Sequence, residues 1–251
     1  MTSAKIIITT GSVESSLSFV TESASHGFQV YSFPMIQIVS AEESDSKKEM
    51  YAQLFLYDWI VFTSRNGVNY FFEELYNATQ TYDIPVSCKL ACVGNKTANV
   101  LHNYSKTADY ISPNNNALDF ARELNSLFKF QEDDIRVLFP TGNLTDNTIA
   151  QNMSSHVSVE KIEVYHTIIP QTYNSGIFDL IASDTYDYIV FTSPSCVSHF
   201  VQLFANGLSL KSLRTISIGP STSRRLEEHA IPHIQAQEYT IDGVLALLER
   251  V

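Results

Sequence analysis

Cysteine is scarce in this 251-residue chain: Cys88, Cys92 and Cys196 form no CxxC pair. An odd, unpaired set excludes a disulfide framework and makes a sulfur-bound metal a poor expectation; reduced thiols in the cytoplasm fit it better. Long apolar runs are missing too. The opening MTSAKIIITTGSVESS reaches only a four- or five-residue run before Gly11, too short for a secretory leader. No later stretch approaches the ~18 apolar residues of a membrane span, so a soluble, cytoplasmic protein is expected. Basic residues are outnumbered 16 to 27, for a net charge of -11, and form no stripe. That argues against nucleic acid or an anionic membrane as partner.

Catalytic signatures are equally sparse. The seven histidines make no HxH or HExxH, GNKT at 94 to 97 lacks the upstream glycine of a phosphate-binding loop, and neither GxGxxG nor GxSxG occurs. Metal, dinucleotide and serine-hydrolase chemistry are therefore not expected. With 44% hydrophobic residues, 9 Gly and 8 Pro, the chain has the composition of a folded globular protein.

What is present is an alternation. Short apolar runs at Ile6 to Ile8, Trp59 to Phe62, Leu90 to Val93, Val137 to Phe139, Tyr188 to Phe191 and Thr215 to Ile218 have strand length and composition. Amphipathic stretches follow, such as Val68 to Tyr76 and Val197 to Phe204, expected to end near Asn77 and Asn206. Apolar strands alternating with helices indicate parallel sheets covered on both faces.

The chain also repeats itself. DWIVFTSRN (58 to 66) and DYIVFTSPS (187 to 195) agree at six of nine positions, and LACVGNKTANVL (90 to 101) pairs with TISIGPSTSRRL (215 to 226). The offsets, 129 and 125, agree in order and spacing, which predicts two similar parallel-sheet, flavodoxin-like α/β domains. SFPMIQIVS and EKIEVYHTIIP bracket the first copy. The expected layout is residues 40 to 160 inserted into a domain made of 1 to 33 and 171 to 251. Segments 34 to 39 and 161 to 170 would form a two-stranded connector, with a cleft between the domains.

Ligands of open parallel sheets bind beyond the carboxyl ends of the strands. That directs attention to TTGS (9 to 12), FTSRN (62 to 66), VGNKT (93 to 97), FPTGN (139 to 143), FTSPS (191 to 195) and IGPST (218 to 222). A Ser or Thr at such a place is ordinarily a helix cap. Six such turns on one side also suit an anion held by backbone N-H and hydroxyl donors. The candidate binding residues are Thr63, Ser64, Arg65, Asn66, Thr97, Gly142, Asn143, Ser193, Pro194, Ser195, Ser221 and Thr222, with Lys96, Arg224 and Arg225 as nearby charge.

In that order, FTSRNGV, VGNKTANVL, FPTGNLTDNTI, VEKIEVYHT, FTSPSCV and SIGPSTSRRL resemble the uroporphyrinogen-III synthase family. The resemblance implies a cofactor-free, metal-free lyase of tetrapyrrole and heme biosynthesis, acting as a monomer. Its substrate would be hydroxymethylbilane, a linear tetrapyrrole polycarboxylate, cyclised with inversion of ring D. Loss of the terminal hydroxyl as water gives an azafulvene, attacked by the substituted carbon of ring D; a spiro intermediate then fragments and recloses. The family pattern carries Thr97, Tyr165, Ser195, Ser221 and Thr222 into the site, with Tyr165 assisting departure of the hydroxyl. Cys196, where similar sequences often have Gly, and Ser221, where Thr is more usual, depart from it. The competing readings are a cytosolic two-domain protein that closes on a small anion without catalysis, and a nucleotide-sugar transferase, whose usual length is greater.

Overall fold

The β-branched runs become central strands of two sheets in the computed structural model, which describes residues 4–114, 116–129, 134–205 and 207–251. In chain order, β1 (Ile6–Thr9), α1 (Val13–Ser23), β2 (Gln29–Ser32) and β3 (Gln37–Ser40) come first. Next are α2 (Asp45–Ala52), β4 (Trp59–Phe62), α3 (Arg65–Thr79), β5 (Lys89–Val93), α4 (Gly94–Leu101) and β6 (Tyr110–Ser112). Then come α5 (Ala117–Phe128), β7 (Ile135–Gly142), α6 (Thr148–Gln151), β8 (Val157–Ile168) and α7 (Ser175–Ala182). The chain closes with β9 (Tyr188–Phe191), α8 (Pro194–Leu203), β10 (Thr215–Ser217), α9 (Pro220–Glu228), β11 (Ile234–Gln235) and α10 (Ile241–Leu248). The expected helix end at Asn206 lies outside the described residues.

Two compact units result, Met1–Ile38 with Ile168–Val251, and Val39–Thr167. The first holds a sheet ordered β11-β10-β9-β1-β2, in which every pair is parallel. The second sheet is ordered β3-β8-β7-β4-β5-β6. Its strands β8-β7-β4-β5-β6 are parallel and repeat the spatial order β2-β1-β9-β10-β11 of the first unit. Thus β4 corresponds to β9 and β5 to β10, as the sequence repeat requires, while β7 and β8 stand for β1 and β2 although they come later in the chain.

Contacts explain why the repeated residues recur. Asp58 precedes β4 and its carboxylate accepts from Arg136 N at 2.8 Å; Asp187 precedes β9 and accepts from Ile6 N at 2.7 Å. Each caps an otherwise free N-H on the neighbouring, corresponding strand. At the other end, Ser64 accepts from Gly67 N and Ser193 from Cys196 N, so both serines cap the helix that follows.

Helices cover both faces of each sheet, dividing each unit's core in two. One half in the second unit packs Phe62, Phe71, Phe72, Leu75, Leu101 and Val164, and the other Trp59, Phe120, Leu124 and Phe139. In the first unit Phe33, Ile189, Phe191 and Phe200 lie on one face, with Ile7, Phe19, Ile216 and Leu248 on the other. Burial of such side chains, at about 1.5–3 kcal/mol each, drives the layering.

Segment 161 to 170 is strand as far as Ile168: it is the outer half of β8, paired in parallel with β7 as far as Tyr165, with β3 on the other side of β8. Its alternating pattern reflects a strand whose faces are unequally covered. Among the described residues no helix is long and apolar enough to cross a membrane.

Candidate functional site

In the second unit, the turn after β4 and the ends of β7 and β8 bring seven candidates together. Ser64 lies in extended backbone, φ -148° and ψ 154°, and caps α3 through a 2.9 Å bond from Gly67 N. Its Oγ is also 3.3 Å from the Tyr165 phenol oxygen. One Ser64 lone pair receives the Gly67 N-H, and either hydroxyl can donate across the Ser64–Tyr165 contact. With Ser64 as donor, the phenolic proton is left for a third group.

Gly142 is buried under the Tyr165 ring: a Cβ there would lie 2.5 Å from Cε2 and Cζ. Asn143 is exposed, but its side chain is engaged, Oδ1 accepting from Thr167 N at 2.9 Å and Nδ2 donating to Thr167 O at 3.3 Å. Thr63 and Asn66 flank Ser64 half-buried, and Arg65 is exposed with no ion-pair partner among the described residues. The turn thus presents a helix N-terminus, a phenol and an unpaired guanidinium, a set suited to carboxylates.

The first unit offers a related turn. Ser193 accepts from Cys196 N at 3.3 Å, donates to Cys196 Sγ at 3.0 Å, and lies 3.0 Å from Ser195 Oγ. Pro194 occupies the first helical position of α8, where its missing N-H leaves nothing unsatisfied. Burial pushes the Cys196 thiol upward in pKa, opposed by hydrogen bonds from Ser193, Thr192 and Thr10. It is a packing residue that organises hydroxyls.

The remaining candidates divide by helical phase. Ser221 is exposed in the first turn of α9, whereas Thr222 is 1% exposed and its counterpart Thr97 in α4 is 5% exposed. Both threonines are buried in the first turns of their helices. Lys96 and Arg224 are exposed without ion-pair partners among the described residues, while Arg225 pairs with Glu228 at 3.3 Å.

Sequence reasoning missed Tyr70, on α3, whose ring stacks on Tyr165 at 5.8 Å and 27°. No motif marks it, because the contact depends on the register of β8. It also missed a cavity of about 510 Å³ in the first unit, lined by Val13, Ser32, Phe33, Pro34 and Tyr173 among others. No candidate lines it. Among the described residues, no group of three or more His, Cys, Asp or Glu is placed to hold a metal ion.

Residues 18–246 match the family model described as "Uroporphyrinogen-III synthase HemD". The chain is 29% identical to the uroporphyrinogen-III synthase of Synechococcus elongatus, an alignment covering 98% of this chain and 95% of that one. It is 27% identical to a putative uroporphyrinogen-III synthase of Methanocaldococcus jannaschii, over 88% of each chain. Two solved structures share the fold, each at a TM-score of 0.60. They are a mutant uroporphyrinogen III synthase of Thermus thermophilus (13% identity, 98% of each chain) and the uroporphyrinogen-III synthetase of Helicobacter pylori (16%, 98% of this chain and 99% of that).

Proposed function

The chain belongs to the uroporphyrinogen-III synthase family, and from that membership and its strand-end turns we propose the following function and residue roles. It converts hydroxymethylbilane to uroporphyrinogen III with inversion of ring D and loss of water. The observation that carries the reading is the Tyr165 phenol set 3.3 Å from Ser64 Oγ, at a helix N-terminus beside an unpaired Arg65.

In this reading Ser64 donates to the Tyr165 oxygen, and the phenolic O-H donates to the departing hydroxyl. The C-O bond breaks, its electron pair leaves with oxygen, and the hydroxyl takes up a proton and departs as water. Nitrogen lone-pair donation from the terminal pyrrole gives an azafulvenium cation, and passage of the pyrrole N-H proton to the phenolate leaves the neutral azafulvene and restores the phenol. Attack by ring D, fragmentation of the spiro intermediate and reclosure need geometry more than acid. Holding reacting carbons within reach can contribute several kcal/mol to the barrier.

The carboxylates supply the handles for such positioning. Arg65, Thr63, Asn66 and the N-terminus of α3 form one grip; Ser193, Ser195 and the N-terminus of α8 form another, with Ser221 exposed on α9. Charge-assisted bonds add ~1.5–3 kcal/mol each, so a few suffice to hold a polyanion on a protein of net charge -11. Thr97 and Thr222, both buried, stiffen their turns. We place the enzyme in the cytoplasm as a monomer, consistent with three free thiols and no membrane-crossing helix among the described residues.

The test supplies hydroxymethylbilane made in situ by its deaminase and resolves the oxidised uroporphyrin isomers by chromatography. Isomer III is expected in excess over the enzyme-free control, and Tyr165→Phe should lower its rate about 10²- to 10⁴-fold, the range for a general acid. A folded protein giving only the control mixture would remove the synthase reading. Full turnover in Tyr165→Phe would remove the acid role alone.

A further inference from the structure

We propose that Tyr165 is aimed by a device built into the second unit, in which Gly142 and Tyr70 are positioning residues; this rests on the reading of Tyr165 as the reacting phenol. The problem the device solves is reach. Tyr165 belongs to β8 and its partner Ser64 follows β4, with β7 lying between them in the sheet. Two strand spacings amount to about 10 Å, so the phenol has to cross the end of β7 to arrive.

Three features let it do so. The first is a break in register. Thr141 faces Glu163, but Gly142 faces Tyr165, so Val164 is an extra residue on β8. In regular alternation Ile162 and Val164 share a face, and Tyr165 takes the other. Here all three pack against the same core, with Val164 fully buried, because the bulge rotates Tyr165 onto their side. Bulges between parallel strands are uncommon, and those near functional sites typically re-aim one side chain.

The second feature is an absent side chain. The Tyr165 ring lies directly over Gly142, where a Cβ would come within 2.5 Å of Cε2 and Cζ and 2.9 Å of the phenol oxygen. Carbon atoms do not approach so closely, so any larger residue evicts the ring. Its requirement for glycine is one of close approach, since Gly142 is absent from the positive-φ glycines.

The third is a lid of packing. Tyr70 stacks on the outer part of the ring at 5.8 Å, while Asn143 ties β7 to the backbone of Thr167 on the far side of Tyr165. With the bulge behind it, glycine beneath it, Tyr70 beside it and the strand end fastened, Tyr165 has one orientation, and that orientation ends at Ser64.

The test separates aiming from chemistry. Fluorotyrosine placed at position 165 gives a substrate-free ¹⁹F resonance, recorded in wild type, Gly142→Ala, Tyr70→Leu and Tyr70→Phe, with Trp59 fluorescence confirming that each is folded. Both Gly142→Ala and Tyr70→Leu should shift or split the resonance and lower kcat about 10²-fold, as for a displacement of about 1 Å. KM should stay within about twofold, while the product drifts toward the unrearranged isomer. Tyr70→Phe keeps the stacking ring and should recover most of what Tyr70→Leu loses, and Tyr70→Leu should add little in a Tyr165→Phe background. An unmoved resonance in both Gly142→Ala and Tyr70→Leu overturns the aiming device. A displaced resonance with undiminished turnover upholds the device and sinks the acid role of Tyr165 instead.

Discussion

Glu74 offers a sharp test of how the second unit is held together. It lies on α3 at 8% exposure, accepting from Lys47 Nζ at 2.8 Å and from the Tyr51 hydroxyl at 2.9 Å, which fastens α2 to α3. Lys47→Met keeps most of the aliphatic stem and removes the charge. Breaking a fully buried ion pair costs about 3–5 kcal/mol. Lys47 retains 15% side-chain exposure and Tyr51 still bonds the carboxylate, so a loss of about 2–3 kcal/mol is expected. With a urea slope of about 2 kcal/mol per molar, the midpoint should fall by about 1–1.5 M. Trp59, the single tryptophan, is buried in this unit and reports its unfolding directly.

The pH dependence has a definite sign. Burial raises the Glu74 pKa above its ordinary 4.5, and the Lys47 pair and the Tyr51 bond pull it back. A carboxyl raised on folding favours the folded state below its unfolded pKa, and that contribution is lost as pH climbs through the folded value. Removing Lys47 raises it further, so the Lys47→Met penalty should be largest near neutrality and shrink as pH approaches 4.5. The double variant Lys47→Met/Glu74→Leu buries no charge and should regain much of the lost stability. Equal penalties at both ends of that pH range, together with a double variant no better than the single, would refute a desolvated carboxylate at Glu74.

Other consequences can be checked more briefly. Arg65→Gln should raise KM about tenfold or more, the loss of one charge-assisted carboxylate contact at ~1.5–3 kcal/mol, leave kcat near wild type, and flatten the salt dependence of KM; a kcat effect with KM unchanged would move Arg65 from grip to chemistry. Cys88, Cys92 and Cys196 are all buried, and burial pushes the first two thiols up to about 12. A disulfide reagent at pH 8 should therefore find no fast-reacting thiol in the native protein and three in urea; rapid native labelling would contradict the packing.

The parts of this fold that were legible in sequence are those set by local chemistry. All six apolar runs lie within or overlap β1, β4, β5, β7, β9 and β10, because central parallel strands are buried on both faces and read as continuous hydrophobic segments. Strands β2, β6 and β11 were not expected. Gln29–Ser32 has no buried residue, and Tyr110–Ser112 and Ile234–Gln235 span three and two residues, so edge strands leave too little pattern to read. Ser64 and Ser193 could be anticipated as caps because a cap needs only its own hydroxyl and the next turn.

What escaped the sequence was everything decided by register or phase. Thr97 and Thr222 are in turns that look solvent-facing as strings, but each is third after the glycine that opens its helix and falls on the buried side. Gly142 reads as a ligand-approach glycine until Tyr165 is found lying on it. That contact joins residues 23 apart, and only the unpaired Val164 brings it about.

The two units then differ where their correspondence makes the difference informative. Met35 N donates to Thr10 O at 3.0 Å, which sets Met35 opposite Gly11 as Tyr165 is set opposite Gly142. The repeat offset of 129 that aligns Ser64 with Ser193 aligns Tyr70 with His199. His199 does not stack over Met35; its Nδ1 lies 2.7 Å from Met35 O, and Met35 is fully buried. Above Gly11 the space is taken by Ser15 and Thr192, which a Cβ would meet at 2.8 and 3.0 Å. The residue opposite the strand-end glycine therefore feeds the core in one unit and brings a phenol to a strand-end turn in the other. Under the proposed roles, the repeated strand order would supply two similar anion grips, and the proton donor would be confined to one of them by the choice of side chain opposite a single glycine.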